Sequence, residues 1–293
     1  MAFINNMLRE KQEPNKIIAC YYDYTLPFYR FFWHKNTNAI HYGFWEKGIK
    51  SHEESLLNSN RFMAEKAKIK KGDLVLDAGC GVGGSSIWIA KNYGVHVVGI
   101  TISVKQLEKA KELAKQNKVE HLVKFYLRDY LKTEFENETF DVVWGQESVC
   151  HAIDKFNFLK ESYRVLKNNG RVIIADGFKK REPQNQKETK VYIDFLEGLS
   201  LPSLDTFNQF RASLERSGFR NIQLWDKSKE ILPSSRRMFK MCKFGYLFAK
   251  LTEKLRLTPK LLTKNNLAGI VQYEAMKIGL GCYGVFYGEK LSI

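Results

Sequence analysis

Paired cysteines are absent from this 293-residue chain: its five cysteines, Cys20, Cys80, Cys150, Cys242 and Cys282, stand far apart. No C-x-x-C is available for zinc or redox work, and an odd count argues against a disulfide framework. A reducing, cytoplasmic setting fits that usage. Long apolar runs are missing too. Nowhere do 18 apolar residues follow one another, so no bilayer-spanning segment is expected, and MAFINNMLREKQEPNK at the N-terminus lacks the apolar run of a signal peptide. Zinc-finger spacing, an RNA-recognition signature and an Arg-rich tail are also lacking. Nucleic acid is therefore not an expected partner, and no metal ligand set is expected either. There is no internal repeat and no low-complexity linker.

Acidic residues are in short supply. Lys and Arg number 47 against 32 Asp and Glu, giving a net charge of +15. Such a surface attracts nucleic acid, anionic headgroups or an anionic substrate, and says little about fold. The composition, 44% apolar and 27% charged, is that of an ordinary globular protein with room for a sizeable core. The 20 Phe and 14 Tyr suit either a rich core or a large apolar pocket.

From about Asp73 onward, short apolar runs alternate with amphipathic helical patterns. LVLDAGC, HVVGITIS, VKFYLRD, FDVVWG and RVIIADGF read as strands. Between them, SSIWIAKNYG reads as a helix ended by Gly94, and VKQLEKAKELAKQ places Leu107, Ala110, Leu113 and Ala114 on one face. DKFNFLKESYRVL is a further helix, expected to close at the turn residues Asn168-Asn169-Gly170. CYGVFYGEK suits a final strand. This rhythm predicts βαβ units and a parallel sheet with right-handed crossovers. Residues 1–70 read as a helical cover. Residues 71–178 form the core, 179–280 a helical insertion or substrate lid carrying part of the core sheet, and 281–293 the last strand, within one structural domain.

The stretch VLDAGCGVGGSS carries two meanings. Gly79, Gly81 and Gly84 satisfy G-x-G-x-x-G, the spacing of a dinucleotide fold. Yet a nicotinamide enzyme wants a carboxylate after the second strand, or a basic residue for NADP, and Gly99-Ile100-Thr101-Ile102-Ser103 offers neither. Asp77 would face a pyrophosphate with like charge, whereas beside the ammonium and sulfonium of S-adenosylmethionine an anion is useful. On this reading Gly84 serves close helix packing, and Asp77-x-Gly79-x-Gly81-x-Gly83 is the methyl-donor cradle.

DAGCGVGGSSIWIAKNYGVHVVGITIS and FDVVWGQESVCHAIDKFNFLKESYRVLKNNGRVIIAD resemble the class I S-adenosylmethionine-dependent methyltransferases. Within them the chain looks most like the gamma-tocopherol and sterol C-methyltransferase group, and more distantly like cyclopropane fatty acid synthases. The resemblance is strongest over residues 72–178. It implies an α/β, Rossmann-like doubly wound, mostly parallel seven-stranded sheet with helices on both faces. It also implies S-adenosylmethionine as cofactor and S-adenosylhomocysteine as product. Carried over residue by residue, it puts Gly79, Cys80 and Gly81 under the methionine end with Asp77 beneath. Thr101, Ile102, Ser103 and Gln106 match a G-I/L-T-x-S run that replaces the strand-two acid. Asp129 matches the acid facing the adenine amino group, Tyr130 an adjacent backbone N–H, and Gln146 and Glu147 the lining of the transfer site. His41, Tyr42 and Gly43 match a segment that folds over the cofactor. Where the group commonly has Glu-His, this chain has Cys150-His151, which removes the carboxylate that bicarbonate-assisted cyclopropanation needs.

Methylation of an olefin leaves a carbocation that aromatic faces stabilise and a base must quench. YYDYTLPFYRFFW offers Tyr22, Phe28, Tyr29 and Trp33 as substrate-contacting rings, or as an amphipathic helix packed on the core. Glu147 and His151 are the candidate catalytic bases, and they share one face if their segment is helical. Residues 236–264 hold nine Lys or Arg against one Glu among Phe, Leu, Tyr and Met. That pattern reads as peripheral membrane contact, as an entrance for a diphosphate-bearing substrate, or as a solvated face. The expected function is methyl transfer to an apolar small-molecule acceptor of isoprenoid, sterol or prenyl-quinol type, at carbon. N- or O-methylation of a small polar amine or phenol, a nicotinamide oxidoreductase and a non-catalytic cofactor binder are the alternatives. No motif encodes the oligomeric state.

Overall fold

The computed structural model describes residues 14–29 and 37–292, with side chains for 15–25 and 37–292. Among the described residues two helices come first, α1 (Pro14–Tyr29) and α2 (His52–Lys66), the latter N-capped by Ser51. The apolar runs then become parallel strands separated by helices. β1 (Leu74–Ala78), α3 (Gly84–Tyr93), β2 (His96–Thr101), α4 (Val104–Gln116) and β3 (Val123–Leu127) build one half. β4 (Phe140–Gln146), α5 (Lys155–Val165) and β5 (Leu166–Lys179) begin the other. α6 (Gln186–Gly198), α7 (Phe207–Arg216), β6 (Arg220–Asp226), α8 (Ser228–Lys254), α9 (Lys260–Lys277) and β7 (Gly281–Glu289) complete it.

The seven strands lie in the order β3-β2-β1-β4-β5-β7-β6, with β7 antiparallel to both its neighbours. Because successive strand residues face opposite sides, the central strands feed two cores. Val75, Val142 and Ile173 pack with α2, α3 and α4 residues on one face. Leu76, Val143 and Ile174 pack with Phe158 of α5 and Phe210 of α7 on the other. Strand order reverses between β1 and β4, which opens a crevice at their carboxyl ends.

Two features depart from the sequence reading. Helix α5 runs straight into β5, and Asn168-Asn169-Gly170 lies inside that strand as an irregularity where pairing to β4 slips between Phe140 and Val142. Asn169 adopts φ +62, and its N–H donates to the Lys290 carbonyl at 2.7 Å, so pairing with the chain after β7 captures the turn. β6 carries no clear strand pattern in the sequence because it is an edge strand with no buried position, which blurs its alternation. Helix α9 packs against both α6 and α8 beside the crevice mouth, meeting α6 around Val191, Val271 and Ala275.

Candidate active site

β1 ends in Asp77-Ala78, and the chain turns at Gly79 with φ +89. A Cβ at Gly79 would lie 2.4 Å from that of Ser148, so only glycine fits there. The N–H groups of Gly79 and Cys80 both donate to the Ile100 carbonyl, pinning the loop to the end of β2. Gly81, at φ +54, is uncrowded, with Gln106 Nε2 at 3.9 Å as the nearest atom to its would-be Cβ, an ordinary van der Waals contact. Gly84, which completes the dinucleotide spacing, is instead a packing residue: its Cβ would lie 2.4 Å from the Asn38 carbonyl oxygen.

Asp77 is buried and accepts a 2.5 Å hydrogen bond from Ser86 Oγ. Loss of solvent pushes its carboxyl up to about 6, against that hydrogen bond. Thr101 Oγ1 donates to Gln106 Oε1 at 2.8 Å, and Ser103 caps α4 by accepting from Gln106 N at 3.0 Å. The Ser103 hydroxyl also donates to Asp23 of α1. Gln146 accepts from Ser85 Oγ at 2.8 Å, while its buried Nε2 has no partner among the described residues.

These residues line one cavity. Asp77, Gly79, Cys80 and Gly81 form its floor; Thr101, Ile102 and Gln106 form one wall; Tyr130, Gln146, Glu147, His151, Tyr22 and His41 close it. Asp129 lies off that wall. Its carboxylate accepts from Asn15 Nδ2 at 2.7 Å and from Leu131 N at 2.8 Å. Ser103, Tyr42 and Gly43 likewise stand behind the lining. Gly43 N donates to Ser234 Oγ at 3.2 Å, tying the 41–43 segment to α8. Trp33 and the side chains of Phe28 and Tyr29 fall outside the described residues.

A second cavity of about 640 Å³ adjoins the first, and Tyr22, Ile40, His41, Glu147 and His151 line both. Its wall is largely apolar, built from Phe195, Leu199, Leu201, Met238, Met241 and Phe248. At the shared boundary Glu147 Oε1 accepts from Tyr42 N at 2.6 Å and from Tyr283 OH at 2.8 Å. Withdrawal from water pushes the Glu147 carboxyl up to about 8, opposed by those donors and aided by nearby Asp176. His151 Nε2 shares a 2.8 Å hydrogen bond with the Tyr22 hydroxyl, and burial lowers the imidazole to about 4. His41 Nδ1 lies 3.0 Å from the Tyr42 carbonyl oxygen, and burial lowers that ring to about 4 as well.

Glu147 and His151 are not paired on a helix face as expected. Glu147 sits at φ +51, and the following turn, Val149–His151, is a single 3-10 turn. Each therefore has its own partner. Sequence reasoning also missed Tyr283 and Asp176. Asp176 lies at the carboxyl half of β5, where a sheet of this topology gathers its site residues, so position alone could have flagged it. Tyr283 carries no local signal; its place comes from antiparallel register with Gly177.

A glycine cradle at the strand-order reversal, with a buried carboxylate and an uncommitted amide donor, defines a nucleotide-cofactor site. The chain matches the family described as "Methyltransferase domain" over residues 76–174. It is 32% identical over 228 residues to the sterol 24-C-methyltransferase ERG6 of Saccharomyces cerevisiae, covering 76% of this chain and 58% of that one. It is 30% identical over 279 residues to the cycloartenol-C-24-methyltransferase of Arabidopsis thaliana, covering 92% and 78%. The fold is similar to that of the cyclopropane synthase MmaA2 from Mycobacterium tuberculosis, with TM-score 0.81, 15% identity and coverage of 96% and 100%. This chain belongs to the class I S-adenosylmethionine-dependent methyltransferases, and S-adenosylmethionine is its cofactor. The residues present fit that group: Asp77 offers an anion to cations, Gln146 Nε2 a free donor, and Gly81 the needed space. The nicotinamide alternative is thereby set aside.

Proposed function

We propose that this protein transfers a methyl group to a carbon of an apolar, un-ionised acceptor of sterol, isoprenoid or prenyl-quinol type. The observation that carries this reading is the 640 Å³ apolar cavity sharing a wall with the cofactor cavity. When bound, the cofactor supplies an electrophilic methyl carbon already activated by sulfonium. The chain's own residues hold, orient and keep dry. Gly79, Cys80 and Gly81 seat the cofactor, Asp77 and Gln146 meet its charged end, and Thr101 and Gln106 line the nucleoside side.

Aromatic residues crowd the acceptor side of the boundary: Tyr21, Tyr22, Tyr42 and Tyr283 all line the larger cavity. Such rings favour an electron-poor centre on the acceptor. Glu147, held by Tyr42 and Tyr283, is the group placed to take a proton from a methylated carbon; His151 with Tyr22 stands beside it. No Lys or Arg lines the larger cavity among the described residues, while Glu147 and Asp176 do. An anionic diphosphate would find no cationic partner there among the described residues. The curated sterol relatives support the same acceptor class, although this chain spans less than two thirds of the yeast protein.

The test is incubation with methyl-labelled cofactor and a lipid extract dispersed in detergent. Label in the solvent-extractable fraction is expected. Label confined to water-soluble amines or phenols overturns the acceptor assignment.

A further inference from the structure

Helix α8 runs for 27 residues, and its second half is unusually apolar on the outside. Phe244 is 81% exposed, Leu247 68%, Phe248 64% and Leu251 57%, with Leu255 and Leu257 beyond them. Positions 244, 247, 248, 251 and 255 repeat at helical spacing, so they form one stripe along one face. Phe244 and Phe248 also line the apolar cavity, so the stripe runs directly into its mouth. Exposed Lys243, Lys250 and Lys254 repeat at the same spacing, about 100° around the helix from the stripe's centre. Exposed Lys240, Arg256 and Lys260 extend the basic margin.

We infer that this face of α8 docks on an anionic lipid surface, with Phe244, Leu247, Phe248 and Leu251 entering the headgroup–acyl boundary and opening the cavity to membrane-resident acceptor. An apolar stripe edged by lysine is the pattern of an interfacial helix: apolar area and attraction to anionic headgroups act together. Charge selects this occupant over a second copy of the chain. Residues 236–264 carry nine basic residues against one acid, and two such faces would repel one another. No helix among the described residues is long and apolar enough to cross a membrane, so the contact is peripheral. The inference rests on the apolar-acceptor reading for its purpose, but not for its test.

The experiment is flotation of the full chain with vesicles of phosphatidylcholine, with and without phosphatidylglycerol. The protein floats with the anionic vesicles. Leu247→Glu with Leu251→Glu lowers the bound fraction at least about tenfold. The triple substitution Lys243→Glu, Lys250→Glu and Lys254→Glu removes the preference for phosphatidylglycerol. Neither pair member nor any of the three lysines lines either of the two cavities, so S-adenosylhomocysteine affinity by calorimetry and transfer to detergent-dispersed lipid stay at wild-type levels. Wild-type flotation by both variants overturns the inference. So does a wild-type dimer in sedimentation that the leucine variant dissolves. Flotation is read without methyl transfer, so failure of the acceptor assignment leaves this result standing.

Discussion

Glu147→Gln isolates the most perturbed carboxyl on the shared wall. The amide keeps one oxygen to accept from Tyr42 N and Tyr283 OH, and it mimics the neutral acid in shape. The folded protein holds the wild-type carboxyl at about 8 against an ordinary value of 4.5. The sign follows from that elevation. Below the unfolded value both states are protonated and the group is neutral in its effect on pH dependence. As pH rises toward 8 the unfolded chain ionises first, so folding stability is lost through that window. At about 1.4 kcal/mol for each unit of pKa, wild type should lose about 3 kcal/mol more than the variant between about pH 5.5 and about pH 8. Contributions from Asp77, Asp176 and the two buried histidines are common to both proteins and cancel in the difference. Urea denaturation of the cofactor-free proteins at the two pH values measures it. Parallel losses in wild type and variant would refute the placement of Glu147 in a dry, neutral state. The same reasoning fixes the functional half. A sulfonium cation favours the ionised carboxylate, so S-adenosylmethionine binding should release a proton near neutral pH, and the release should fall in Glu147→Gln to the smaller share left to Asp77, held at about 6. Turnover should fall more than cofactor affinity does; equal losses would make Glu147 a binding residue.

Gly79→Ala should destabilise more than Gly81→Ala, because its Cβ meets Ser148 at 2.4 Å while the one at Gly81 meets nothing closer than 3.9 Å. The Gly81 variant pays about 1–2 kcal/mol of left-handed backbone strain, and thermal melts should rank the two. Asp77→Asn keeps the Ser86 contact and removes the anion, so S-adenosylmethionine affinity by calorimetry should fall about tenfold or more; near-wild-type binding would remove Asp77 from the site. Ser103→Ala deletes the α4 cap and the bond to Asp23, and chemical denaturation should show a loss of about 1 kcal/mol from the cap alone.

Much of this protein could be read in one dimension. Apolar runs alternating with amphipathic helices determined a parallel α/β sheet, since neither pattern can bury its face alone. The glycines of the first turn and Asp77 were legible because a tight strand-to-helix turn and a buried anion each demand particular residue types. The absence of a carboxylate after β2 was just as informative.

What the sequence could not decide are matters of register and distance in space. Asn168-Asn169-Gly170 has the chemistry of a turn, yet pairing with the chain after β7 makes it an irregularity in a strand. Spacing alone suggested that Glu147 and His151 share a helix face, but the positive φ at Glu147 sends them to separate partners. Asp129 looks available by position and is engaged by Asn15, more than a hundred residues away in sequence. Tyr283 reaches Glu147 because β7 runs antiparallel beside β5. The apolar cavity exists only where α1, α6, α8 and α9 meet the sheet, so no local pattern records it. Local chemistry determined the glycine turn and its buried acid, and tertiary packing alone decided the chamber beside them and the group held at its boundary.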